Sequence, residues 1–328
     1  MIFIALVTAS CHRIVAAKDV KMLPNYKARK GKNIPLHLSM SKGDISEIEK
    51  LLKDKDIDVN EENEHGDNAI HEFIRANKQL ELNESQIQYV IDLLIEKDID
   101  LNHKNLGKNS PLNYALTLGE VKTLKVLLEY KEIDINSKDS LGHNFIDNFI
   151  SSSFSKEDID EIFDILLEEK ELDIENKLED GLTILERSIK KGNANLVRKI
   201  FEIYGYKNQE LVSKKANESF LFLAKEGNRL EKDRLEDIYK FLVRLIKNVN
   251  VKDEKGETAL YKAIVSGNIL MIERLLENSK IDLSCKDNNK NSLIHALAIS
   301  DNRDKSNLSQ IFKIFVERGM KIDDKIRY

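Results

Sequence analysis

The sequence predicts an all-α solenoid made of stacked helix pairs. Three observations lead to this prediction: paired amphipathic segments, a recurring spacing of about 34 residues, and a composition poor in aromatic residues and proline. Aromatic residues make up 6% of the chain, tryptophan is absent, and there are only three prolines. This composition favours short helices over a sheet-rich domain.

The segment SPLNYALTLGEVKTLKVLLEYKEIDIN, residues 110–136, shows one unit of the pattern. Apolar residues three and four positions apart predict helices from Pro111 to Leu118 and from Val121 to Tyr130, and Gly119 predicts the turn between them. Two helices this short cannot bury their apolar faces alone. Other units of the chain must therefore cover them.

The end of this unit, Asp134-Ile135-Asn136, recurs along the chain. The related segments are centred on the apolar residues Val59, Leu101, Ile135, Ile174, Val249, Leu283 and Ile322. The intervals between these residues are 42, 34, 39, 75, 34 and 39, and a degraded copy around residues 200–208 divides the longest one. The sequence therefore contains a repeat with insertions.

The beginning of each unit is equally regular. The opening blocks start at Ile34, Ala69, Ser110, Phe145, Thr183, Ser219, Thr258 and Ser292. A glycine precedes five of the blocks, at positions 66, 107, 142, 181 and 256, where we expect a turn residue with positive φ. A second set, at positions 43, 119, 192, 227 and 267, is expected to end the first helices.

These residues resemble the ankyrin repeat, whose pattern reads D-x-x-G-x-T-P-L-H, then A, G, L-L and D-V-N. The resemblance covers about residues 33–325 in roughly eight units, is strong in units three and seven, and is weak around residues 204–217. Five units, LLKDKDIDVN among them, lengthen the last loop by one residue and lack its glycine. We predict an all-α ankyrin array over residues 32–328, preceded by a leader or spacer over residues 1–31.

Four polar insertions are predicted between the first and second helices of their units. They occupy residues 77–85, 151–158, 228–237 and 300–309. Their position on one side of the solenoid makes them either tolerated additions or a second contact surface. We favour the first interpretation, because added polar residues in a repeat loop are expected to face solvent.

The sequence contains no recognisable catalytic, metal-binding or cofactor-binding motif. Phosphate loops, G-x-S-x-G and H-E-x-x-H are absent, and neither His65 nor His103 has metal-ligand spacing to another residue. The ankyrin resemblance implies that His37, His71 and His295 support turns by hydrogen bonding. A net charge of −5 and a pI of about 5.9 argue against nucleic acid as a partner. We predict a protein that is not an enzyme and needs no cofactor.

The resemblance implies that a protein partner binds to the concave row of first helices and the adjacent turns. The residue after the histidine position is expected to be exposed, which gives Leu38, Glu72, Tyr114, Asn148, Arg187, Leu223, Lys262 and Ala296. Because tyrosine and arginine are common binding anchors, we predict Tyr114 and Arg187 as the main contacts, followed by Leu223. Glu72, Asn148 and Lys262 complete the predicted site. The array is expected to be a monomer, and its partner is not identified by the sequence.

The first residues, MIFIALVTASC, resemble the end of a bacterial lipoprotein signal, in which the cysteine becomes lipid-modified. Ala9 and Ser10 before Cys11 fit such a signal, whereas Thr8 and the missing basic region do not. The apolar stretch is too short for a transmembrane helix. A frayed leader and a helix that caps the first repeat are the alternatives to lipidation at Cys11.

The sequence therefore favours non-catalytic binding of a partner protein. One alternative is an envelope-tethered lipoprotein whose array recruits or protects another envelope protein, and another is a targeting array that acts with a separate enzyme. The lysine-, isoleucine- and asparagine-rich composition indicates a bacterial protein. A cytoplasmic or secreted effector is favoured over a membrane-anchored protein.

Overall fold

The computed structural model describes residues 34–80, 82–300 and 305–318. These residues form consecutive helix pairs, and the prediction of an all-α array is confirmed. The first and second helices of the pairs are α1 (Ile34–Lys42) and α2 (Ile45–Leu52), α3 (Ala69–Leu80) and α4 (Glu84–Ile95), α5 (Pro111–Leu118) and α6 (Val121–Glu129), α7 (Phe145–Ile150) and α8 (Lys156–Glu168), α9 (Ile184–Lys191) and α10 (Ala194–Lys207), α11 (Gln209–Glu226) and α12 (Lys232–Leu245), α13 (Ala259–Val265) and α14 (Ile269–Glu277), and α15 (Leu293–Ala298) and α16 (Lys305–Glu317).

The third pair shows why the sequence forms these helices. Ser110 caps α5 by accepting a hydrogen bond from the backbone N–H of Asn113, and Pro111 occupies the first turn, where its missing N–H is harmless. Gly119 ends the helix with φ 71°, a left-handed conformation that glycine adopts without strain. The helix bounds predicted for this unit are confirmed, except that α6 ends one residue earlier than expected.

The core runs along the stack. Each first helix packs against the first helix of the next pair, and the second helices do the same from α2 to α14. Leu112, Ala115, Leu124 and Leu127 show the result in the third pair, where all four side chains are almost completely buried. Stability in such an array is the sum of contributions from each pair and from its contacts with its neighbours.

The recurring Asp-x-Asn ending holds consecutive pairs together. In the copy at residues 100–102, the Asp100 carboxylate accepts from the backbone N–H of Asn102 at 2.9 Å and so fixes the turn. The Asn102 amide then donates to the Glu132 carbonyl at 2.7 Å and accepts from the Asp134 N–H at 2.8 Å. Asn60 and Asn250 make the same two bonds to the pairs that follow them.

Replacing Asn102 by alanine should therefore weaken the junction between two pairs. We expect the free energy of unfolding to fall by about 1–2 kcal/mol, because two hydrogen bonds to backbone groups are lost. Asn136 is the matched control, since it ends the next copy of the motif and its exposed amide makes no inter-pair hydrogen bond to the described residues. Urea denaturation of both alanine variants checks this prediction, and equal losses would contradict it.

Each first helix from α3 onwards, except α11, follows a short turn, here called a finger, as in residues 104–109 and 138–143. In the second of these, Gly142 has φ 83° and its N–H donates to the Asp139 carbonyl at 3.2 Å. The positive-φ prediction is wrong for Gly107, because the left-handed residue of that finger is Lys108, with φ 57°. Gly227 ends its helix as predicted, but with φ −75° rather than a left-handed conformation, and a 3-10 turn begins there.

The sixth pair has no finger, which explains the weak repeat signal around residues 204–217. Only Asn208 separates α10 from α11, and α11 is extended to 18 residues. The carboxylate of Glu175, which replaces the asparagine of the closing motif, binds the Lys215 ammonium at 2.6 Å. The same carboxylate is hydrogen-bonded to the buried Tyr204, so the extended helix remains fixed to the preceding pairs.

The insertion after α7 is packed against the protein rather than free in solvent. Phe154 is partly buried against the core, with its ring 6.2 Å from that of Phe149. The Asn193 amide donates to the Ile150 carbonyl at 3.0 Å and lies 3.5 Å from that of Ser152. This insertion therefore contributes to the core, which the polar composition of its sequence does not indicate.

Cys11 and the predicted leader of residues 1–31 lie outside the described residues. Within the part of the chain that the structure describes, no helix is long and apolar enough to cross a membrane. The division into a leader and an array over residues 32–328 therefore stays a prediction.

Candidate functional site

The predicted binding row lies on the first helices, five residues before the glycine that follows each helix in the regular pairs. Leu38 is 51% exposed, and four further members are half-buried: Tyr114, Asn148, Arg187 and Lys262. Glu72, Leu223 and Ala296 are buried, with exposures of 3%, 0% and 0%. The prediction that these three residues are exposed is therefore wrong.

The sequence prediction placed the row residue of the sixth pair at Leu223, which is one residue too late. Its block was aligned on Ser219, but α11 begins at Gln209, so Ser219 is buried inside the helix and caps nothing. Counting back five residues from Gly227 places Phe222 in the row, and Phe222 is half-buried. The glycine spacing could have revealed this register from the sequence.

Glu72 is buried because its carboxylate binds two side chains of its own pair. It accepts from the Asn63 amide in the preceding finger and from the Arg75 guanidinium one turn further along α3. Arg75 also lies 3.6 Å from Asp67, and its side chain is 41% exposed. This part of the row therefore presents a guanidinium group to solvent instead of the predicted carboxylate.

Arg187 joins two neighbouring pairs. Its guanidinium contacts the carboxylate of Asp147 in α7 and lies 2.7 Å from that of Asp180 in its own finger. Only 12% of the Arg187 side chain is exposed, whereas Asp180 is 41% exposed. The side chain predicted as a free anchor therefore also fixes the finger against the helices.

Asn148 and Lys262 bind their own fingers in the same way. The Asn148 amide donates to Asp139 at 2.9 Å, and the Lys262 ammonium lies 2.5 Å from Asp253. Burial opposes ionisation of Asp253, but the bond from Lys262 and nearby backbone N–H groups outweigh it and hold its pKa below the ordinary value. Glu257 is a second partner of Lys262, at 2.8 Å.

These bonds share a sequence signal that was missed. Glu72, Asn148 and Lys262 each bind the residue nine positions earlier, which is Asn63, Asp139 or Asp253. The residue nine positions before Arg187 is Leu178, which has no polar side chain, and Arg187 binds Asp180 of the same finger instead. A polar pair nine residues apart therefore identifies a finger that is bonded to its helix.

Tyr114 differs from the other half-buried members of the row because its finger residue, Asn105, binds Asp67 instead. Its ring lies 5.6 Å from that of His71, and burial raises the pKa of its hydroxyl above the ordinary value despite the nearby Arg75. Tyr114 therefore presents an ordered aromatic side chain between Arg75 and Asn148.

The three histidines of the repeat motif support turns, as predicted. His71 lies 2.7 Å from the Asn68 amide oxygen and 3.1 Å from the Asn109 carbonyl of the next finger. His37 contacts the Glu61 carbonyl at 3.0 Å, and His295 lies 2.9 Å from the Ser292 hydroxyl. Each of these side chains therefore binds a group of its own or a neighbouring turn.

Reactive chemistry has little support among the described residues. They contain no group of three histidine, cysteine or acidic side chains arranged to hold a metal ion. Burial and the neighbouring Asp282 raise the pKa of Cys285 to about 11. Since the thiolate is the nucleophile, this cysteine is unreactive at neutral pH.

A comparison with family models agrees with the helix-pair architecture. A family model described as "Ankyrin repeats (3 copies)" matches residues 36–139 and 230–326. A similar solved structure is the ankyrin repeat domain of Bcl-3, described as a unique member of the IkappaB protein family, with 14% identity, a TM-score of 0.43, and coverage of 87% of this chain and 100% of that chain. No curated protein gives a match.

Proposed function

The chain belongs to the ankyrin repeat family, whose repeats are generally protein–protein interaction modules, and we propose that it binds a partner protein through its first helices and fingers. Members of this family are typically not catalytic. The observation that carries the proposal is the ordered row Tyr114, Asn148, Arg187 and Lys262, three of which are bonded to their fingers.

Such a row is suited to binding because its geometry is fixed before a partner arrives. Ordering a long side chain on association costs about 0.5–1.5 kcal/mol, and a side chain already held by its finger avoids most of this. Tyr114 adds an aromatic surface of the kind that dominates binding energy in protein interfaces. We propose Tyr114 as the main contact, with Asn148, Arg187 and Lys262 following it along the row.

Site-specific photo-crosslinking tests the proposal. A photoreactive phenylalanine analogue is introduced at Tyr114 and, as the control, at Tyr89, which lies on the second helix α4 and is 44% exposed. We expect cross-linked protein from native lysate at position 114 and little at position 89, and mass spectrometry would identify the partner. Cross-links at position 89 alone, or at neither position, would contradict binding at the first-helix face.

Lipidation at Cys11, an envelope location and action with a separate enzyme stay predictions. None of the described residues bears on them. The intact mass of the protein isolated from its own cell tests the first of these, because acylated Cys11 would be its first residue.

A further inference from the structure

Two neighbouring fingers expose leucine side chains at their tips. Leu106 and Leu141 are 75% and 77% exposed, which places them among the most exposed large apolar residues in the described part of the chain. The two fingers are joined at their bases, where the Lys104 ammonium donates to the Lys138 carbonyl at 2.9 Å. The two leucines therefore stand at the tips of fingers that are bonded to each other.

The backbone holds both leucines in place. The N–H of Leu106 donates to the His65 carbonyl of the preceding finger at 3.0 Å, and the N–H of Leu141 donates to the Asp139 carboxylate at 2.8 Å. A Cβ atom on Gly66 would lie 2.8 Å from the Leu106 nitrogen, so this glycine allows the close approach of the two fingers. The backbone of both leucines is therefore fixed, unlike that of exposed apolar residues on mobile loops.

The charge of these fingers is opposite to that of the protein. Residues 104–109 and 138–143 contain three lysines and one aspartate, whereas the whole chain has a net charge of −5. The fingers at residues 62–67, 177–182 and 252–257 each contain more acidic than basic residues. The finger at residues 286–291 is also basic, but asparagines stand at its tip. Among the fingers described, an apolar tip and a net positive charge coincide in residues 104–109, which carry Lys104 and Lys108, while residues 138–143 add a second apolar tip without net charge.

On the basis of the proposed function, we infer that the fingers of the third and fourth pairs, residues 104–109 and 138–143, bind an acidic linear segment of the partner. This segment carries two apolar side chains. Adjacent repeats are about 8–10 Å apart, the distance between packed helices. An extended polyproline-type segment advances about 9 Å in three residues. Apolar residues three positions apart would therefore reach Leu106 and Leu141 together, while acidic neighbours face Lys104 and Lys108. Lys138 is already paired with Glu179 of the next finger, at 2.6 Å.

The remaining parts of this chain do not have the complementary charge. Residues 1–33 contain seven lysines and arginines and one aspartate, and residues 319–328 contain three basic and two acidic residues. Both segments would be repelled by the net positive charge of residues 104–109, and an acidic segment would be attracted most strongly at low ionic strength. A separate acidic partner is therefore the occupant that fits.

Fluorescence anisotropy with a defined peptide tests the inference. The probe is a short fluorescein-labelled peptide of glutamates with two leucines three positions apart, and the comparison peptides replace either the glutamates by lysine or the leucines by serine. We expect only the acidic peptide with leucines to bind the full chain. The double variant Leu106→Ser/Leu141→Ser should weaken binding about ten-fold or more, as loss of anchors does.

Tyr206→Ser is the matched control, because Tyr206 is 90% exposed at the end of a second helix. Circular dichroism confirms that all variants remain folded. Binding of the basic peptide, or affinity unchanged in the double leucine variant, would overturn the inference. Self-association abolished by the leucine changes, without peptide binding, would assign the surface to a second copy and also overturn it.

The finger-tip proposal and the proposed function can fail independently of each other. Cross-linking at Tyr114 that persists in the leucine variant would retain the first-helix face and reject the finger-tip assignment. Loss of all cross-links with intact peptide binding would reject the first-helix face and retain the finger tips.

Discussion

Replacing Phe149 by alanine should lower the free energy of unfolding by about 3–5 kcal/mol, the usual loss when a buried phenylalanine is truncated. Phe149 is 1% exposed and lies in the centre of an aromatic cluster in the fourth pair. Its ring is stacked with those of Phe145 and Phe163, at centroid distances of 5.8 and 6.5 Å. The variant would leave a cavity that the helices α7 and α8 cannot fill without moving.

Phe154→Ala provides the control, because Phe154 belongs to the insertion that covers the cluster and is only partly buried. We expect it to cost about 1–2 kcal/mol, as for partial loss of a buried apolar side chain. Urea denaturation gives the overall loss, and hydrogen exchange shows whether opening is confined to the fourth pair and its neighbours. A loss below about 1 kcal/mol for Phe149→Ala would contradict the packing described.

The second large effect is expected at Arg187. Its replacement by alanine leaves Asp147 and Asp180 without their shared cation, and Asp147 is only 14% exposed. Breaking a bond to a buried charged group costs about 1–3 kcal/mol, and the exposure of Asp180 keeps the effect within this range. This loss of stability is larger than the small change that is expected when an ordinary surface residue is replaced.

Lys190→Ala is the matched control, since Lys190 lies on the same helix and is 44% exposed. We expect a change within about 0.5 kcal/mol for this variant. Adding Asp147→Asn to Arg187→Ala should recover part of the loss by removing the unpaired carboxylate. Equal thermal stability of Arg187→Ala and Lys190→Ala, or no recovery in the double variant, would show that the Arg187 bridge is not stabilising.

The agreement between sequence and structure is closest where local interactions determine the conformation. Ser110 and Gly119 mark the ends of α5. Asp100 fixes the turn at residues 100–102 by accepting a bond from Asn102, two positions away. Apolar spacing then predicts which helix face is buried. Failures occur where the local signal has been replaced, as at Gly107, whose neighbour Lys108 takes the left-handed conformation.

The candidate site was harder to predict because exposure depends on residues distant in the sequence. Asp147, a partner of Arg187, lies 40 positions away, and the register of the sixth pair changes because a helix extension replaces its finger. Glu72 and Leu223 are different, because the Asn63–Glu72 pair nine residues apart and the position of Gly227 are local signals that could have placed them.

The sequence by itself determined the helix pairs, their caps and the repeat, because each depends on residues within a few positions of one another. Only the tertiary structure decided how deeply the row residues are buried, that Phe154 packs against the core, and that Leu106 and Leu141 stand on adjacent fingers. These features arise when one pair packs on the next, since burial and bridging depend on side chains supplied by a neighbouring repeat.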